Sequence, residues 1–133
     1  MNQQAKNREL VLSIYKNMDA QAFDRAVELV SPECKVYFAG NFLDRDAWAG
    51  MGRMFMRAFP DGHHVFDLAD AAGDYVLLHG YFTGTHREEF QGIAATGKVI
   101  KISMTMIDKV QGDKMVEHRG DFDTAGLLQQ LTQ

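Results

Sequence analysis

The sequence predicts an α+β fold, a cone-shaped barrel in which a curved antiparallel sheet wraps around N-terminal helices. Three observations predict it. Apolar residues recur at helical spacing from Asn7 to Phe59, the pattern changes to strict alternation from His64 onward, and the alternating runs are joined by Gly-Asp turns. Helices first and hairpin-linked strands afterwards is the α+β order. Long strands curling around a helix pair leave a half-open cone, which needs the apolar interior that the Met, Phe and Trp content supplies.

Each element has its own signal. The first helix is predicted over Asn7–Met18, because Leu10, Val11, Ile14, Tyr15 and Met18 fall on one face. The second is predicted over Ala20–Val30 with Phe23, Ala26, Val27 and Val30 on one face, and Ser31-Pro32 ends it, since proline disfavours helix in the preceding residue. Cys34–Phe38 reads as a short strand. Asp44–Phe59 reads as a third helix whose Trp48, Met51, Phe55 and Phe59 form an apolar stripe. Pro60-Asp61-Gly62 is a turn. His64–Ala72 and Tyr75–His86 are strands around the turn Ala72-Gly73-Asp74. The second of them sets Val76, Leu78 and Phe82 against Tyr75, Leu77, His79 and Tyr81. Arg87–Gly97 is a loop. Lys98–Val110 alternates Ile100, Ile102, Met104 and Met106 against Lys101, Ser103 and Thr105. A tight turn over 111–114 leads to the strand Met115–Phe122, and Asp123–Leu131 closes as a short helix or turn.

Composition narrows the function. The 133 residues suit one domain, 1–133, and a chain this size buries about two-thirds of its unfolded surface. A net charge of −4 offers no basic footprint for nucleic acid. No apolar run approaches the ~20 residues of a membrane span, and the first ten residues contain no apolar signal region, so a cytoplasmic protein is expected. The lone Cys34 excludes an internal disulfide and has no neighbouring base to activate it. His63 and His64 are adjacent, and on a strand would point to opposite faces, so no metal site is expected. The second face of the sheet, with Tyr75, Leu77, Tyr81 and Ile107, is apolar enough to predict a homodimer.

Three stretches carry a resemblance. YFTGTHREEFQGIAATGKVI (81–100) has a Thr-Gly-Thr-His strand end, a Glu-Phe-x-Gly-Ile loop and a Thr-Gly-Lys opening. GDKMVEHRGDFDTAGLLQQL (112–131) has a Lys-x-x-Glu-His strand and a Gly-Leu-Leu-Gln-Gln-Leu end. AFPDGHHVFDLADAAGDYV (58–76) adds a Phe-Pro-Asp turn and a Gly-Asp hairpin. Together they resemble the SnoaL-like polyketide cyclase family of the nuclear-transport-factor-2-like, ketosteroid-isomerase-like superfamily. The resemblance implies a cystatin-like cone and a cofactor-free cyclase or isomerase, which performs aldol-type carbonyl chemistry by carboxylate acid–base catalysis. Its substrate would be a small, largely apolar carbonyl compound such as a polyketide. One position departs from the family: Arg119 stands where members commonly have Trp, and Asp121 where they have an apolar residue.

On that resemblance Asp123 is the candidate general acid/base. The residues alone also read it as the N-cap of the last helix. His118 and His86 are the other candidate catalytic groups, because a neutral imidazole can hold a carbonyl oxygen or relay a proton. Alternation places His118 on the face of Phe122, opposite Asp123, unless a bulge intervenes. Candidate substrate-binding residues are Tyr15, Trp48, Met51, Phe55, Met104, Arg119 and Asp121, each of which also has a reading as core packing or as part of a surface ion network. Two other functions stay open: a non-catalytic module for an apolar ligand, and an epoxide-hydrolase-like site in which Asp121, Arg119 and Asp123 activate water.

Overall fold

A computed structural model describes residues 2–133. The elements run α1 (Gln3–Asp19), α2 (Phe23–Glu28), β1 (Val30–Phe38), β2 (Asn41–Leu43), α3 (Arg45–Ala58), β3 (His63–Ala72), β4 (Tyr75–Thr85), β5 (Val99–Gln111), β6 (Lys114–Phe122) and α4 (Thr124–Thr132). The strands form one six-stranded curved sheet in the order β2-β1-β6-β5-β4-β3. All neighbours are antiparallel except β1 and β6, which run parallel. The sheet does not close into a barrel: β2 and β3 are its free edges, and α1 and α3 pack into its concave side.

The helices follow their apolar stripes. On α1, Val11, Ile14, Tyr15 and Met18 are buried, and Asn2 caps the start through the Ala5 N–H, beginning the helix four residues ahead of the sequence expectation. Asp44 caps α3 in the same way through the Ala47 N–H. The second helix is shorter than its pattern suggested. Gln21 adopts a left-handed conformation (φ 60°), so Ala20–Ala22 forms the exit from α1, and only six residues remain helical. Pro32 lies inside β1 and not at a helix end. It falls where the β1–β6 register shifts between Val30 and Lys35, a place where its missing N–H costs no ladder bond. β2 was not foreseen in the sequence. It follows the turn Ala39-Gly40, whose positive φ values (49° and 82°) make a tight two-residue hairpin.

The long strands match their predicted faces. Val76, Leu78 and Phe82 of β4, and Ile100, Ile102, Met104 and Met106 of β5, point into the core. The inward row continues with Asp108, fully buried between Met106 and Val110. Gly80 is forced by close packing, since a Cβ there would lie 1.9 Å from the Val65 carbonyl oxygen. That approach accompanies a bulge between Phe66 and Leu68 that bends β3. The Phe-Pro-Asp turn is pinned to the end of β4. Both Asp61 carboxylate oxygens accept from Thr85, from its N–H at 2.6 Å and its hydroxyl at 2.7 Å. No helix among the described residues is long and apolar enough to cross a membrane.

Candidate active site

Sheet register assembles the centre of the site. β5 and β6 pair so that Asp108 stands directly opposite His118, and cross-strand partners on one face have Cβ atoms about 5 Å apart. Both side chains point into the cone, where the apolar face of α1 delivers Tyr15. Three short contacts result. The Tyr15 hydroxyl donates to Asp108 Oδ2 at 2.6 Å, Asp108 Oδ1 lies 2.6 Å from His118 Nδ1, and the Tyr15 oxygen lies 3.2 Å from that same nitrogen. A carboxylate only accepts, so His118 carries its proton on Nδ1 and donates it to Asp108. That leaves His118 Nε2, which is buried and has no hydrogen-bond partner among the described residues.

Aromatic rings fix the imidazole. Trp48 lies 4.9 Å from it, centroid to centroid, and Phe38 stacks against it at 6.5 Å with a 14° interplanar angle. Gly120, next inward on β6, leaves the space that the ring occupies, since a Cβ there would sit 2.6 Å from His118 Nε2. Burial, and after it the Asp108 charge, holds the Tyr15 phenol well above its ordinary pKa, so it is a permanent donor. The Cys34 thiol is likewise pushed up to about 12, first by burial and then by Asp108, and is inert as a nucleophile.

The cavity in front of these groups is lined by Tyr15, Phe38, Trp48, Phe55, Phe82 and Phe122, with His64 and His118 as its imidazoles. Met18, Met51, Met56, Met106 and Gly52 complete it. Its volume is only about 50 Å³, room for a few waters at ~10–15 Å³ each. A larger ligand has to displace the methionine side chains, which are flexible enough to move.

The structure brings some of the sequence candidates together and separates others. Tyr15, Trp48, Met51, Phe55 and His118 all line the cavity. Met104 does not: it is buried between Gly80 and Phe122, and Met106, two residues on, reaches the lining in its place. His86 is also excluded. β4 ends at Thr85, and the following loop folds back so that His86 packs 5.5 Å from Phe59 with Nδ1 against Thr96. The expectation that Asp123 faces the cavity is corrected. It is exposed, and its Oδ1 accepts from the Gly126 N–H at 2.9 Å as the cap of α4. Alternation accounts for this, because an inward His118, Gly120 and Phe122 put Arg119, Asp121 and Asp123 outside. Arg119 is half-exposed, bonded to Glu117 at 2.7 Å and stacked over Tyr37, and Asp121 is exposed. The Asp–Arg–Asp set therefore does not gather around a cavity. Asp108 and His64 were missed in the sequence. Extending the β5 alternation by one step would have found Asp108, whereas nothing local marks His64.

An open cone of one six-stranded curved sheet packed over helices is the nuclear-transport-factor-2-like architecture, and solved structures agree. Wild-type IdmH from Streptomyces antibioticus, described as a candidate polyketide cyclase, superposes with a TM-score of 0.85 at 24% identity, over 94% of this chain and 97% of that one. AclR from Streptomyces galilaeus, described as a candidate hydroxylase, gives 0.90 at 23% identity over 96% of each chain. A candidate polyketide cyclase from Acidithiobacillus ferrooxidans gives 0.80 at 25% identity, over 98% and 97%. A search of curated protein sequences returns no match. The sequence profile of SnoaL-like polyketide cyclases matches residues 9–131, and the chain belongs to that family.

Proposed function

We propose that the protein is a cofactor-free cyclase or isomerase that moves protons on a small, largely apolar carbonyl substrate such as a polyketide, with His118 as the group that takes and returns the proton. One observation carries this reading: His118 lines an apolar cavity, its Nε2 is buried and unpartnered among the described residues, and its Nδ1 is occupied by Asp108. An imidazole held in this tautomer presents a lone pair to the cavity. In the reaction, Nε2 accepts the hydrogen alpha to a carbonyl, and the electron pair of that C–H bond becomes an enolate. In an isomerisation the imidazolium returns the proton to another carbon. In a ring closure the enolate carbon bonds to a second carbonyl carbon of the same molecule, and the alkoxide formed takes the proton back from Nε2. Asp108 is a positioning residue. It keeps the ring in the reactive tautomer, and its negative charge offsets the imidazolium that forms. Proton transfer of this kind contributes about 10²–10⁴-fold.

The test uses 2-tetralone, a small bicyclic enolisable ketone, in D₂O. Exchange of its alpha hydrogens, followed by proton NMR, should be accelerated by the protein and fall about a hundredfold in His118→Gln. No acceleration, or exchange in that variant at the parent rate, would remove His118 from the role. The outer face of the sheet supports the proposal that a second copy of the chain covers it. Tyr75 is exposed there beside Leu77 and Tyr81, and light scattering that gives only monomer at micromolar concentration would exclude the dimer.

A further inference from the structure

The cavity wall holds a second imidazole fixed in the same manner, on β3, which β5 and β4 separate from β6. His64, near the start of β3, lines the cavity, and its Nδ1 lies 2.6 Å from Asp19 Oδ1. The other oxygen of Asp19 accepts the His64 backbone N–H at 3.0 Å, so one carboxylate holds both the strand and the ring. The pair is sheltered, with side-chain exposures of 11% and 22%. The ring is clamped by Tyr15 at 5.2 Å, Phe82 at 5.3 Å and Phe66 at 6.0 Å. No hydrogen bond from a described residue reaches its Nε2.

Asp19 also stands against local preference. It is the last residue of α1, where the helix dipole disfavours a negative charge by a few tenths of a kcal/mol or more. Its charge is compensated across the fold by β3, through the His64 ring and the His64 backbone N–H, and a residue that breaks a local rule in this way marks a place where tertiary context decides. The Tyr15 ring packs near both imidazoles, 5.2 Å from His64 and 6.4 Å from His118. The largely apolar cavity is therefore lined by two imidazole–carboxylate pairs, one on β6 and one on β3, with β5 and β4 between them in the sheet.

We propose that His64, aligned by Asp19, is a second polar station of this cavity, which binds the far oxygen of a substrate carrying two oxygen functions separated by apolar carbon. The inference rests on the proposed carbonyl chemistry at His118 and names its substrate class: a dioxygenated ring or polyketone rather than a simple ketone. With its proton on Nδ1, His64 accepts from a hydroxyl or enol at Nε2. When charged, it donates there to a carbonyl.

Two planar probes test it on the intact protein: 2-naphthol, with one oxygen, and 2,6-dihydroxynaphthalene, with two at opposite ends. One added hydrogen bond predicts that the diol binds about tenfold more tightly by titration calorimetry. His64→Phe keeps the aromatic packing and should abolish that preference. A second measurement needs no variant. In ¹⁵N-histidine-labelled protein the diol should shift the Nε2 resonances of both His64 and His118, and 2-naphthol only one of them. Equal affinity for the two probes, a preference that survives in His64→Phe, or a diol that leaves His64 Nε2 unshifted would overturn the inference. The two readings fail separately. Exchange of 2-tetralone that depends on His118, with no diol preference, removes only the second station. A diol preference through His64 without any exchange removes only the catalytic reading.

Discussion

Gly120→Ala tests the site without altering any chemical group. The added Cβ would lie 2.6 Å from His118 Nε2, and 3.2 Å from both His118 Cε1 and Phe38 Cδ2. To regain an ordinary contact of 3.4 Å the imidazole must retreat by about 0.8 Å. It has nowhere easy to go, because Asp108 holds it at 2.6 Å and Trp48 lies 4.9 Å away. Overpacking of this kind costs about 1–3 kcal/mol. For a domain of this size each kcal/mol is worth about 3–5 °C, so the melting temperature should drop by about 3–15 °C. A shift of nearly 1 Å in a catalytic group can cost about a hundredfold in rate, so 2-tetralone exchange should fall even where the protein is fully folded. The control is Gly50→Ala. Gly50 is exposed within α3 with nothing within 4 Å of the added Cβ, and alanine there should stabilise by up to ~1 kcal/mol and leave exchange unchanged. Differential scanning calorimetry and the exchange assay read both outcomes. A Gly120→Ala protein that melts with the parent and keeps its His118 imidazole resonances would refute the packing argument.

Asp123→Asn should match the parent in activity and stability, because Asn caps as well as Asp, whereas Asp123→Ala should lose about 1 kcal/mol in urea denaturation; a large loss of exchange in Asp123→Asn would return that carboxylate to the chemistry. Tyr15→Phe strips a donor from the buried Asp108 and should cost about 1–3 kcal/mol, and a change below ~0.5 kcal/mol would contradict the hydrogen bond. Alkali should destabilise the fold. Cys34 and Tyr15 both have folded pKa values raised above their unfolded ones, so the native state keeps protons that the unfolded chain releases. Their contribution is complete below about pH 9 and declines above it by up to ~1.4 kcal/mol per pH unit per group, Cys34's share ending near its folded value of about 12. Urea melts between pH 8 and 11 should follow this decline, with a shallower slope in Cys34→Ala; a flat profile would contradict the shifts. Acid acts through Asp61. Its pKa is lowered, chiefly by the Thr85 N–H, so its stabilisation is present above the ordinary carboxylate range and is lost as pH falls through the folded value. Asp61→Asn should therefore flatten the acid limb.

What was legible in the sequence depended on how local the cause was. The alternation of β4 and β5 and the stripe of α3 set side-chain direction residue by residue, and the structure follows them. Alternation in β6 also placed His118 and Phe122 together and Asp123 opposite, and that local reading holds over the cyclase role that the resemblance attached to Asp123. Asp108 obeys the same rule, but a charged residue in an inward row reads as the end of the row until its partner is known. That partner, His118, is fixed by a register that shifts between Lys109 and Val110, so the contact is not written in either strand alone. The second helix was overread because Ala20–Ala22 suits a helix locally, and only the turn out of α1 takes it. His64 and Asp19 are 45 residues apart in sequence, and no periodic signal in either segment points to the other.

The parallel contact between β1 and β6 has a consequence for how the protein folds. It places Val36 beside His118, and the Tyr15 hydrogen bonds reach across 93 and 103 positions of sequence. Contacts this remote form only after the largest loop in the chain has closed, and loop closure of that kind slows folding. The β3–β4–β5 meander can pair through hairpins alone, whereas the cluster of Tyr15, Asp108 and His118 exists only when both ends of the chain have met. During synthesis α1 and β1 emerge first and wait for β6, with their apolar faces uncovered. Recovery of the buried His118 environment after dilution from urea should accordingly lag behind recovery of β-sheet circular dichroism.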